Sequence, residues 1–248
     1  MQVGELLKNQ TAMKKALTII CLLVLSMPEV LAQKVTPLAY YTDKDGIFQQ
    51  GTTIEDGQAP LAVHFQANPS DLGEWTPTYE WHLRQTKTAD NTKITIEVFM
   101  RNDEDTDFTF MESGVYTMTL RTILKKPDDM VELDPETITI TIAESKLEFP
   151  NAFSPNDDGI NDIYRAKPDY KSIISFKAII LNRWGQKLYE WNDPAGGWDG
   201  TFHGSQVKQG VYFVYVEAKG ADGKEYKIKK DVNLLRGYVD NGKTTGNE

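Results

Sequence analysis

Val115-Tyr116-Thr117-Met118-Thr119-Leu120 places an apolar side chain at every second position, with β-branched Val and Thr between them. That period of two puts one face of an extended chain against a core and the other in water, as in a half-buried strand and unlike a helix. The same period recurs on both sides, in Leu61-Ala62-Val63-His64-Phe65, Tyr79-Glu80-Trp81-His82-Leu83, Ile94-Thr95-Ile96-Glu97-Val98 and Ile138-Thr139-Ile140-Thr141-Ile142. Gly, Pro, Asn and Asp punctuate these runs, and about seven strands in roughly 110 residues predict a β-sandwich. The polar stretch Ala143-Glu144-Ser145-Lys146 then separates this region from a second one. There, strands are expected at residues 175–181, 187–190, 211–216 and 226–235, the last two joined by the hairpin signal Gly220-Ala221-Asp222-Gly223. No amphipathic helix pattern interrupts either region. The expected fold class is all-β, as two tandem β-sandwich domains over residues 34–145 and 147–236, with a flexible polar tail at 237–248.

The chain has 248 residues, with 27 Lys plus Arg against 36 Asp plus Glu and a net charge of −9. An acidic chain without a basic face is unsuited to binding nucleic acid, because phosphate neutralisation requires clustered cations. One cysteine, Cys21, and three scattered histidines argue against a disulfide framework or a Cys-rich zinc site. Near the start, Lys14 and Lys15 precede the apolar run Ala16 to Leu25, and Val30-Leu31-Ala32 supplies a cleavage pattern. This reads as a cleaved Sec signal peptide over residues 1–32, since the run is well short of the roughly 20 residues of a membrane-spanning helix. The expected mature chain is exported, acidic, free of cysteine and without a transmembrane span.

A dense set of turn residues opens the second region: Phe149-Pro150-Asn151-Ala152-Phe153-Ser154-Pro155-Asn156-Asp157-Asp158-Gly159-Ile160-Asn161-Asp162. It is followed by Asn182-Arg183-Trp184-Gly185, Trp198-Asp199-Gly200, Gly210-Val211-Tyr212 and Leu234-Leu235-Arg236. In that order these blocks closely resemble the gliding motility-associated C-terminal domain, the type B sorting domain of the type IX secretion system of Bacteroidota. The first region is similar to PKD-type immunoglobulin-like modules in residues 57–65, 79–81 and 113–120. It departs from them after Trp81, where His82-Leu83-Arg84 stands in place of an Asp/Gly-rich turn. The resemblance implies immunoglobulin-like sandwiches and a route: through the periplasm, to the type IX machinery at the outer membrane, to the cell surface or the medium. Domains of this kind usually stop near the position of Arg236, and if the machinery grips the terminal strand edge, the twelve further residues here would weaken or modify recognition.

Two clusters invite a ligand reading. Asn156, Asp158, Asn161 and Asp162 gather oxygens around Gly159 as a calcium loop does, yet Ser154 and Arg165 stand where such a loop has its first and last acids. Asn and Asp capping their own backbone amides is the simpler reading. Trp184, Trp191, Trp198 and Tyr189 could stack on sugars, but core packing accounts for Trp184 and Trp198 as motif residues. Trp75, beside Glu74 and Pro77 in a loop, is the candidate contact for a glycan or a surface protein, the alternative being an adhesin-type role for the first domain. Asp103, Glu104, Asp105 and Asp107 read as a solvated loop, and no sequence pattern of a hydrolase, zinc protease or phosphate-binding loop occurs. The chain is expected to be non-enzymatic and without a cofactor.

Overall fold

The computed structural model describes residues 33–89 and 92–236, so the expected leader and the polar tail lie outside the described residues. Within them the regular elements are strands, and no helix is long and apolar enough to cross a membrane. The fold is all-β, with two hydrophobic cores.

The first core lies between two sheets. One runs from Thr53–Gly57 through Glu136–Ile142, Gly114–Lys126 and Thr76–Ala89 to Thr92–Arg101, with Asp129–Glu132 also paired to Gly114–Lys126. The other runs Phe48–Gly51, Leu38–Thr42, Leu61–Gln66, Asp105–Phe110. The 114–126 strand is central: Met118 faces Leu83 on one side and Ile138 on the other, and all three are fully buried. Phe65, Trp81, Phe110 and Ile140 complete the interlayer packing. Trp81 satisfies its indole N–H on the carbonyls of Asp103 and Glu104, at 3.1 and 3.2 Å, so the ring can be buried without an orphaned donor.

Two readings of this region need correction. The acidic stretch is not a solvated loop throughout, because Asp105 and Asp107 belong to the Asp105–Phe110 strand. Thr106 and Phe110 point into the core there, and the carboxylates take the outward positions. Residues 94–98 do form a strand, but Ile94, Ile96 and Val98 are exposed rather than half-buried. Strand period reports an alternation of faces; it does not report whether a second layer reaches that far.

The second core is built differently. A five-stranded sheet runs Ala152–Phe153, Glu225–Leu234, Gly210–Gly220, Ile173–Leu181, Lys187–Trp191. Its inner face presents Phe176, Ala178, Ile180, Val214, Val216, Val232 and Leu234. Opposite lie mostly irregular segments, which insert Leu147, Phe149, Tyr164 and Trp198, with one short hairpin of Thr201–Phe202 and Ser205–Gln206. Tyr164 and Trp198 form an isolated bridge that ties two of these segments together.

The two parts are docked. Ala221, at the tip of the 220–223 hairpin, is buried in the first core, its N–H donating to Ser172 and its carbonyl accepting from the Ser113 N–H. Ser172, itself buried, accepts the Ala59 N–H on its hydroxyl. Lys171 pairs with Asp56 at 2.7 Å, and the Ser145 hydroxyl meets Asp222 and the Tyr226 hydroxyl.

Candidate functional site

The motif residues divide into a group that holds the second core together and a pair that faces solvent. In the first group, the loop following Phe153 turns through three left-handed residues, Asp157, Gly159 and Asn161, which Asn, Asp and Gly adopt most readily. Asp162 organises it. One carboxylate oxygen accepts the N–H groups of Asn156 and Asp157 at 2.9 and 2.8 Å, and the other accepts that of Gly159 at 2.8 Å. Desolvation raises the Asp162 pKa, but these three amides outweigh it and the carboxyl is held below its ordinary range. Asp158 accepts the Ile160 N–H and the Asn156 side-chain amide, and the Asn161 carbonyl accepts the Ser154 N–H. The oxygens considered for calcium are thus engaged in the turn, and no group of three or more His, Cys, Asp or Glu among the described residues is placed to hold a metal ion.

Arg236 closes the same end of the molecule. Its guanidinium donates to the carbonyls of Val207, Pro155 and Gly200, at 3.0, 3.3 and 2.9 Å. The loop after Phe153 and the short hairpin between Gly200 and Val207 are therefore fastened to the end of the last strand by one side chain, a task that suits the rigid multi-donor fork of arginine. Gly200 has φ +78, and a Cβ there would crowd Leu234, Pro155 and Arg236. Beside it, fully buried Trp198 donates to the Thr201 carbonyl at 2.7 Å and packs on Phe153 and, edge-on, on Tyr212. Asp199 caps Thr201 through its backbone N–H and hydroxyl. Phe149 packs on Tyr164, whose hydroxyl donates to the Pro150 carbonyl. Asn151 accepts the Asn233 N–H on its carbonyl and Lys230 on its side chain. Gly210, with φ +145, opens the strand that pairs with Leu234.

The second group is Arg183 and Trp184. Asn182 bonds its side-chain oxygen to the N–H groups of Trp184 and Gln186, at 2.9 and 3.1 Å, and Gly185 takes φ +80 to close the turn. The turn therefore has a defined shape, yet Trp184 is 69% exposed, with the Arg183 guanidinium 3.9 Å from the ring centroid. Core packing accounts for Trp198 and not for Trp184, and this corrects the sequence reading of the latter. Trp191 is also core, so Trp184, Trp191 and Trp198 do not form a common stacking platform. On the sheet's outer surface, exposed Phe213 and Tyr215 pair with Leu181 and Ile179 and extend the apolar surface away from the turn. A rigid turn that presents an exposed aromatic and an arginine has the composition of a binding hot spot.

In the first part Trp75 is only partly exposed and lies beneath the Lys126 ammonium, 4.3 Å from its ring centroid. The sequence reading missed a better-formed feature on the outer face of the four-stranded sheet. Tyr40 and Phe48 stack there with centroids 6.0 Å apart, and Phe48 is 65% exposed. His64 contacts Asp107 at 2.9 Å beside them, and Gln66 and Thr109 help to line a shallow depression of about 570 Å³. The outward positions of residues 38–42 and 61–66, read as a face, were the available signal.

Solved structures with some likeness include dimeric latent PorU from Porphyromonas gingivalis, at 13% identity over 81% of this chain and 20% of that one, with a TM-score of 0.24. The major pilin subunit BcpA of Bacillus cereus matches at 8% identity over 82% of this chain and 69% of that one, with a TM-score of 0.23. This chain thus spans about a fifth of the PorU chain, and likenesses of this degree assign no function. No curated protein matches the chain. Residues 147–232, which contain the turn of Arg183 and Trp184 and nearly all of the second core, match the CHU_C type IX secretion signal domain, and this supports a sorting role in an exported protein.

Proposed function

We propose that this is a non-enzymatic protein that travels through the periplasm on a Sec leader and is passed to the surface or the medium by the type IX machinery. Its second domain, 147–236, is the address, and its first, 34–145, is a PKD-like interaction or spacer module. The single observation that carries the reading is the match of residues 147–232 to a type IX secretion signal domain. Within that domain Trp184 and Arg183 are the contact for the machinery, since they are motif residues whose side chains leave the core unsupported and face solvent. The remaining motif residues act by giving that surface its shape. Protease shaving of intact cells tests the assignment. The full-length protein should be cleaved or released, and a version ending at Ser145 should stay protected. Protection of both would end the sorting reading.

A second reading, that the first domain binds a glycan, is favoured by the Tyr40 and Phe48 pair, because flat aromatic faces meet sugar C–H groups while His64, Asp107 and Gln66 address hydroxyls. Binding on a glycan array that Phe48→Ala abolishes and Trp75→Ala leaves intact would establish it. A blank array would leave the spacer role.

A further inference from the structure

We infer that the free edge of the Thr92–Arg101 strand recognises a second copy of this chain, the two strands pairing antiparallel about a two-fold axis through Thr95. This strand ends the larger sheet of the first core and, among the described residues, is paired on one side only, with Thr76–Ala89. Its other side therefore presents unpaired backbone donors and acceptors, which proteins ordinarily shield with short strands, charge or a covering loop. Here Lys93, Glu97 and a bulge are the shields, but the strand has ten residues and leaves Ile94 and Ile96 46% and 45% exposed. A bulge between Leu83 and Arg84 shifts the register at Val98 and confines the regular edge to the residues before it.

That regular edge is chemically symmetric about Thr95. In an antiparallel pair centred there, Lys93 faces Glu97 of the second copy and Ile94 faces its Ile96, twice over. Register with the neighbouring strand puts Lys93, Thr95 and Glu97 on one face, opposite Thr88, Thr86 and Arg84. It puts Ile94 and Ile96 on the other, opposite Lys87 and Gln85. The symmetric pair thus aligns opposite charges on one face and four isoleucines on the other, and directly opposed pairs of both kinds stabilise a sheet. Glu97 is already oriented by His82 at 2.7 Å and Arg84 at 3.0 Å. Moving the axis by one residue sets Lys93 against Thr95 or Phe99 and loses both charge pairs, so charge complementarity selects the Thr95 register and a like partner. The contact is one strand wide and smaller than a standard interface, so association is weak and rises with concentration.

Sedimentation equilibrium of the exported protein, up to about 1 mM, tests this. The wild type should dimerise reversibly. Glu97→Lys opposes Lys to Lys and Lys93→Glu opposes Glu to Glu, and each should weaken the dimer about tenfold or more. An equimolar mixture of the two variants should regain it, since every cross-strand pair is then of opposite sign. The mixture also separates pairing from any damage that Glu97→Lys does to the contact with His82. In the exported protein, Thr95→Cys should give a disulfide-linked dimer under mild oxidation, while Thr86→Cys, on the same face but one strand inward, should not. A protein that stays monomeric at the highest concentration, a mixture no more associated than either variant alone, or a Thr95→Cys chain that does not cross-link would each overturn the proposal.

Discussion

The first core lies between two facing regular sheets, whereas the second is one sheet closed by irregular chain. In the first, alternation along strands such as 114–126 suffices, because each inward side chain meets another strand. In the second, the covering segments have a short hairpin and an isolated bridge in place of a second sheet, and polar side chains do the rest: Asp162 on three amides, Arg236 on three carbonyls, Asp199 on Thr201. The lesson is that a sequence motif rich in Asn, Asp, Gly and Trp can be a substitute for secondary structure. On the reading proposed above, function belongs to the few motif residues that the substitute does not use.

The contrast can be broken most severely at Trp198. Trp198→Ala should destabilise the second core by about 3–5 kcal/mol, as for other large buried aromatics, measured by denaturant unfolding followed through the remaining tryptophans. Arg236→Ala should cost about 2–3 kcal/mol through the loss of charge-assisted bonds to three carbonyls, and Arg236→Lys should recover little, because an ammonium cannot span all three. At the junction, Gly220→Ala sets a methyl group against the Ser145 side chain and Asp222. It should cost about 1–3 kcal/mol, the usual range for overpacking, and appear as faster proteolysis at residues 143–146 with both cores intact.

Acid sharpens the comparison. The Asp162 carboxyl is held below its ordinary range in the folded state, so its contribution to stability is present above the unfolded value of about 4 and lost as pH falls through the folded one. Asp162→Asn should lower stability at neutral pH and flatten this acid dependence in the second core, leaving the first core's pH profile unchanged. The smallest effect on stability belongs to Trp184→Ala, expected within about 0.5 kcal/mol as an exposed substitution. On the reading proposed above, the same variant reduces export. A fold-neutral Trp184→Ala that exports normally would remove Trp184 from the sorting surface.

Sequence alone determined the strand class and placed strands at 61–65, 115–120, 138–142, 211–216 and 226–235, each of which overlaps a strand whose ends the structure sets. These rest on local periodicity and on backbone preferences of Gly, Asn and Asp, which each segment carries within itself. Burial was less legible. Ile94 and Ile96 alternate as faithfully as Ile138 and Ile140, but only the latter pair meets a facing sheet. Trp184 and Trp198 both sit in the motif, and one is outside while the other is inside. Ala221 gave no sign in a hairpin tip that it would enter the first core. Those outcomes, like the convergence of Pro155, Gly200 and Arg236 and the pairing of Tyr40 with Phe48, were decided by tertiary structure, because they depend on which distant segment arrives opposite a residue, and no local pattern carries that information.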